Sequence, residues 1–176
     1  MGRLARCAPL VLTASILAAS SLGQPAASAL APLPAGRTPS IIAKMVCRPK
    51  AQREIAEVLG VTAKVAAPTW VNHLYSCRYQ YPNGAFVLSV KELSSWAQTK
   101  AYFASLGHQL GDTQSVEDLG QGAFETTDGS LVVRKDWKVL TVDISGLPPQ
   151  FGNPPTSASD VGNTIGDVIL GCWDGD

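Results

Sequence analysis

Apolar residues recur along this chain with two periods. In Pro49–Leu59, PKAQREIAEVL, residues Ala51, Ile55, Val58 and Leu59 fall on one face of a 3.6-residue period, which predicts a helix. Proline suits its first position, where no N–H is needed, and Gly60 supplies a left-handed stop. The preceding IIAKMV is compatible with strand or helix, and VTAKVAA after Gly60 with a short edge strand. From Leu74 the period switches to two. Tyr75, Cys77, Tyr79 and Tyr81 alternate with Ser76, Arg78 and Gln80, and Phe86, Leu88 and Val90 share a face of the return strand. An Asn83-Gly84 turn would put Pro82 at a ladder position that needs an N–H. A three-residue loop is therefore expected, with Pro82 first and Gly84 left-handed.

Helical spacing returns in SSWAQTKAYFASLG, capped by Ser94 or Ser95, carrying Trp96, Phe103 and Leu106, and closed by Gly107. Three strands follow, 123–126, 131–135 and 137–144, with turns at Asp128-Gly129 and around Asp136. GLPPQFGNPPTSAS is too rich in proline and glycine for regular structure. In the closing helix, DVGNTIGDVILGCW, a stripe of Val161, Ile165, Val168, Ile169 and Cys172 turns Cys172 inward. The order α-βββ-α-βββ-α predicts an α+β domain, an antiparallel sheet of about six strands with helices packed on it.

The start of the chain obeys neither period. Arg3 and Arg6 precede an apolar stretch from Ala8 to Leu22, and Ala27-Ser28-Ala29 forms a small-x-small site, the pattern of a secretory signal peptide cleaved after Ala29. The stretch is broken by Pro9, Thr13 and Ser15 and falls short of the roughly 20 residues of a membrane span. Cys7 precedes it, so no lipid-acceptor cysteine follows the apolar region. The expected organisation is a signal peptide at 1–29, a disordered Pro-rich lead-in at 30–40, and a single α+β domain at 41–176, secreted and extracellular, with no integral membrane span.

Without Arg3 and Arg6 the chain is slightly acidic, so no global field recruits nucleic acid. Lys44, Arg48, Lys50 and Arg53 read as a solvated helix face, with an anion-binding patch as the alternative. Two histidines, His73 and His108, are the only candidate imidazole bases, and no Gly-x-Ser-x-Gly accompanies them, so no catalytic residue is assigned. Cys-x-x-Cys, His-x-x-x-His and His-Glu-x-x-His are all missing, so no metal ligand is assigned either. DLGQGAF, with Gly120 and Gly122, leads into a strand rather than a helix N-terminus. It reads as a tight turn, not a phosphate loop, and no cofactor is expected. Glu117 and Asp118 read as solvated carboxylates, and Tyr75, Tyr79 and Tyr81 as packed under a helix rather than exposed for stacking.

Three segments taken together, CRPKAQREIAEVLG, CRYQY and DLGQGAFETTDGSLVVRKDWKVLTVDISG, resemble the small secreted and lipoprotein domains of unknown function common in actinobacteria. The resemblance spans Cys47 to Ile144 and implies a helix-flanked antiparallel sheet; it carries over no catalytic residue. The chain departs from it by lacking the lipid-acceptor cysteine and by carrying Cys172.

An oxidising compartment permits disulfides. Loss of Cys7 leaves Cys47, Cys77 and Cys172, one of which must be odd. Cys47–Cys77 is the expected bridge, pinning the first helix to a strand; Cys47–Cys172 is the rival, and a leftover Cys172 would serve as a small buried hydrophobe. The expected function is a secreted non-enzymatic domain that binds a protein or cell-envelope component, its oligomeric state open. The alternatives are a secreted hydrolase with a dispersed active site using His73 or His108, and a secreted inhibitor presenting the Pro-rich loop 147–157.

Overall fold

The period-two segments pair into one antiparallel sheet, seen in a computed structural model that describes residues 36–111 and 113–174. The signal-peptide segment and most of the lead-in lie outside the described residues. The elements run α1 (Ile41–Met45), α2 (Pro49–Leu59), β1 (Lys64–Val65), β2 (Thr69–Val71), β3 (Leu74–Tyr81), β4 (Gly84–Glu92), α3 (Trp96–Leu110), β5 (Thr113–Val116), β6 (Ala123–Thr126), β7 (Leu131–Lys135), β8 (Lys138–Asp143), β9 (Gln150–Phe151), β10 (Thr156–Ser157) and α4 (Ala158–Asp174). The sheet order is β1-β3-β4-β8-β7-β6-β5, with β2 also paired to β3, making eight strands. The fold is α+β, as the pattern predicts. The strands beyond the expected six are β2 and β5, and the Pro-rich segment adds the small β9–β10 ribbon.

One face of the sheet carries the main core. Tyr79, Phe86, Leu88, Val90, Leu131, Leu140 and Val142 lie there, buried beneath α1, α2 and α4 through Val46, Ile55, Ile165 and Ile169. Each such side chain contributes about 1.5–3 kcal/mol on burial. IIAKMV resolves as helix because Ser40 accepts the amide of Ala43 at 3.1 Å and caps it. The disulfide is Cys47–Cys77, with Cα atoms 5.9 Å apart, and it fastens the α1–α2 junction to β3. Beside it the Tyr79 hydroxyl donates to the Val46 carbonyl at 2.6 Å, while the ring stacks on Phe86 with centroids 4.6 Å apart. Among the described residues Cys172 is the free cysteine, and it is buried.

The second face is covered on one half only. There α3 sets Tyr102, Phe103 and Leu106 on Phe124, Val132 and Val139. Over β3 and β4 that face is polar, with Arg78 and Gln80 exposed and Ser76, Ser89 and Lys91 half-buried, as an antiparallel sheet allows.

Several local expectations are corrected. The β3–β4 loop has two residues, Pro82 and Asn83, because Tyr81 pairs with Gly84. Gly84 is not left-handed; a Cβ there would lie 2.6 Å from the Gly146 carbonyl oxygen, so glycine serves close approach of the chain after β8. Gly107 does not end α3, since a mid-helix glycine costs only about 1 kcal/mol; the helix runs on to Leu110. Val58, placed on the buried face by its spacing, is 48% exposed. Trp137 belongs to a turn rather than to β8. The last lead-in residues are engaged by the domain: the Trp70 indole N–H donates to the Arg37 carbonyl at 3.0 Å, and the Ser40 amide to Glu92 Oε1 at 3.2 Å.

Candidate functional site

Two tight turns lie at the same end of the sheet, on either side of the end of β4. Asn72-His73 joins β2 to β3 with φ of 51° and 59°, and Asp136-Trp137 joins β7 to β8 with φ of 47° and 62°. Two-residue hairpins favour this left-handed pair because its twist matches that of the strands, and glycine or asparagine usually supplies it. His73 and Trp137 are neither. A side chain in this conformation costs about 1–2 kcal/mol, so hydrogen bonds must hold both turns. The Glu92 amide donates to the His73 carbonyl at 2.9 Å and the Leu93 amide to that of Trp137 at 3.0 Å. Gln121 Oε1 accepts the Asp136 amide at 3.0 Å, and the Lys91 ammonium donates to the Asn72 carbonyl.

The side chains displayed here are aromatic and basic. Trp137 is 47% exposed, Val71 62% and Trp96, opening α3, 36%. The Arg134 guanidinium lies 4.5 Å from the Trp96 ring centroid and 5.4 Å from that of Phe103, and Lys100 is 5.7 Å from Trp96. Lys91 stands over Tyr102 and Lys138 over Trp173. Such cation–aromatic contacts, each worth about 0.5–1 kcal/mol when exposed, hold the charges flat against the rings. Arg134 also donates to the Gln121 carbonyl. The glycines of DLGQGAF make this possible: a Cβ on Gly122 would lie 2.9 Å from Arg134 Nη2, and one on Gly120, where φ is 61°, would lie 2.6 Å from Val133 Cγ1. The segment is a packing turn against β7.

The residues singled out from the sequence are otherwise dispersed. His73 forms its turn 5.6 Å edge-on from Trp70, with Nδ1 buried and without a hydrogen-bond partner among the described residues, whereas His108 is exposed in the last turn of α3. Neither is hydrogen-bonded to a carboxylate among the described residues. Glu117 and Asp118 are exposed. Tyr75, Tyr79 and Tyr81 are buried in the core. The Pro-rich loop is pinned at Phe151, which packs edge-on against Tyr81 at 4.7 Å, and at Asn153, whose amide donates to the Leu59 carbonyl at 2.7 Å, leaving Asn153–Thr156 exposed. Of the basic run, Lys50 pairs with Glu54 at 3.7 Å. Cys172 donates its thiol proton to Glu54 Oε2 at 2.7 Å; burial, then that carboxylate, pushes the thiol up to about 11, so it is a poor nucleophile near neutral pH.

Along the sequence the one basic concentration lies between Lys44 and Arg53. The basic and aromatic grouping instead draws Lys91, Trp96 and Lys100 from one segment and Arg134, Trp137 and Lys138 from another, and the strand register together with the packing of α3 on β7 and β8 brings them to one end. The one local signal in the sequence is Asp136, a turn residue, directly before Trp137. Among the described residues no His, Cys, Asp and Glu converge as a metal site, and no helix is long and apolar enough to cross a membrane. No protein-family model matches the chain, nor does any curated protein or solved structure.

Proposed function

We propose that this chain is a secreted, non-enzymatic domain that binds a protein or cell-envelope partner through the Trp96–Trp137 end of its sheet, and that the partner surface is acidic. The observation that carries this reading is Trp137, a bulky side chain kept 47% exposed on a left-handed backbone that glycine would occupy at lower cost. Strain of this kind persists where the side chain is needed. Tryptophan and arginine are also the residues that dominate interface energies, and Arg134 and Lys100 set positive charge against the Trp96 indole, while Lys138 follows Trp137 in the chain. Export with cleavage after Ala29 would deliver the domain to such partners, and the Cys47–Cys77 bridge suits an oxidising compartment.

The test is co-sedimentation of purified domain, starting at Leu30, with washed envelope fragments and with immobilised proteins of the culture medium. Wild type is expected to be retained in a salt-sensitive way, and Trp137→Gly and Arg134→Gln to bind at least ten-fold more weakly. Equal retention of wild type and both variants would overturn the proposal.

A further inference from the structure

The sheet ends at β5, and β5 is open. Thr113–Val116 pairs with β6 on one side and, among the described residues, with nothing on the other. Alternate amides and carbonyls of an edge strand point away from its neighbour, so β5 offers a row of unpaired donors and acceptors. Edges of this kind are usually guarded by proline, charge or a bulge. At the other end of the sheet β1 is two residues long with Lys64 exposed, and Pro68 stands between it and β2. In β5 the residues Thr113, Gln114 and Ser115 are exposed and uncharged, and their register holds no bulge.

A cavity of about 310 Å³ opens beside this edge, lined by Thr113, Gln114, Glu125, Thr126 and Thr127. Glu125 is its one charged residue. Gln114 and Glu125 are directly opposed across β5 and β6, so both side chains stand on the sheet face that α4 covers. There Ser159 and Asn163 donate to Glu125 Oε2 at 2.9 and 3.1 Å, which fixes the carboxylate and leaves Oε1 without a hydrogen bond among the described residues and in contact with solvent. The surroundings add charge of the same sign. From Gly111 to Val133 the chain has no Lys, Arg or His, and it carries Asp112, Glu117, Asp118, Glu125 and Asp128. Glu117, Asp118 and Asp128 are exposed.

We propose that β5 binds an extended, basic segment of polypeptide, which adds as a further strand and passes a Lys or Arg side chain over Gln114 to Glu125 Oε1. Backbone pairing selects extended polypeptide over any ligand that lacks a ladder of amides. The cavity selects the side chain. An added strand would run two strand spacings, about 9–10 Å, from β6, and lysine and arginine are the residues both long enough to cross β5 and positive enough to pair with Glu125. An acidic segment would meet Glu117, Asp118 and Glu125 with like charge. This edge is separate from the Trp137 turn, whose proposed partner is acidic.

The test is fluorescence anisotropy of the domain with a short labelled peptide of alternating valine and lysine, with the same peptide N-methylated throughout its backbone, with an alternating valine–glutamate peptide, and with spermine as a competitor that has charge but no peptide backbone. The valine–lysine peptide is expected to bind, the N-methylated and valine–glutamate peptides to bind about ten-fold more weakly or less, and spermine to leave it in place. Glu125→Gln keeps an acceptor for Ser159 and Asn163 and should weaken binding about three- to five-fold, as loss of a partly exposed ion pair does. Hydrogen exchange over 113–116 should slow on binding, with β1 and β2 unaffected. No binding of the valine–lysine peptide, equal binding of its N-methylated form, displacement by spermine, unchanged affinity in Glu125→Gln, or exchange slowed at β1 and β2 instead of β5 would each overturn the proposal. None of these readouts involves Trp96 or Trp137, so the function proposed for that end stands or falls separately.

Discussion

The amide of Leu93 donates to the carbonyl of Trp137 at 3.0 Å, and through that bond the end of β4 clamps the turn between β7 and β8. The preceding amide, of Glu92, does the same for the turn at His73. Two successive residues thus restrain four of the five non-glycine positions with positive φ among the described residues, so the strained backbone of the domain is gathered at one end of one strand.

Replacing Trp137 by glycine should therefore stabilise the free protein. Relief of the left-handed conformation is worth about 1 kcal/mol, or about 3 °C in melting temperature for a domain of this size. Trp137→Ala keeps the Cβ and should gain nothing. Differential scanning calorimetry of the two variants decides the matter: equal melting temperatures would mean that the turn stores no strain.

Tyr79→Phe should cost about 1–3 kcal/mol, because the Val46 carbonyl is left buried without its 2.6 Å donor. In urea the midpoint should fall with the slope unchanged. A loss below half a kilocalorie would show that another group can reach that oxygen.

The Cys47–Cys77 bridge closes a 30-residue separation, for which loop entropy predicts about 3–4 kcal/mol of stabilisation. The Cys47→Ser/Cys77→Ser protein should unfold at correspondingly lower urea. A non-reducing peptide map should join the two peptides and leave Cys172 as a single thiol, titratable after denaturation. A map joining Cys47 to Cys172 would refute this chemistry.

Alkaline pH should unfold the domain through groups whose charged forms the fold disfavours. Cys172 ionises at about 9 in an exposed chain and at about 11 here, because of burial and of Glu54. Its contribution is intact below pH 9 and is lost as pH rises towards 11, since the unfolded chain releases the proton first. Tyr81, raised by burial from 10 to about 12, extends the loss upward, and buried Tyr79 is raised further. Cys172→Ala should flatten the pH 9–11 part of the stability profile, and Glu54→Gln should speed native alkylation of Cys172 at pH 9. An alkylation rate indifferent to Glu54 would separate the thiol from that carboxylate.

The core was legible where one period dominated. Tyr75, Cys77, Tyr79 and Tyr81 alternate cleanly because one side of β3 faces helices and the other faces water, and proline and glycine mark the ends of α2. The short strand β2 was hidden because its turn, Asn72-His73, holds no glycine, and β5 because Thr113, Gln114 and Ser115 have no buried face to impose a pattern. Gly84 misled because glycine reports either a special φ or a close neighbour, and Gly107 because a helix tolerates a glycine that serves neither. The candidate site was the least legible part. Arg134 and Trp96 are far apart along the chain, and only the packing of α3 on β7 and β8 lays one on the other.

The lead-in residues Arg37 and Ser40 are moored to Trp70 and Glu92, and the last turn of α4 places Trp173 under Lys138. Residues 37–40 and the last turn of α4 therefore both lie toward the end of the sheet that carries the two left-handed turns. This bears on how the domain is best displayed: a tag or surface linkage joined just before Gly36 or just after Asp174 would stand at the end of the sheet at which binding is proposed. A cysteine-free attachment through Ser145, exposed just beyond the far end of β8, would present the indoles outward.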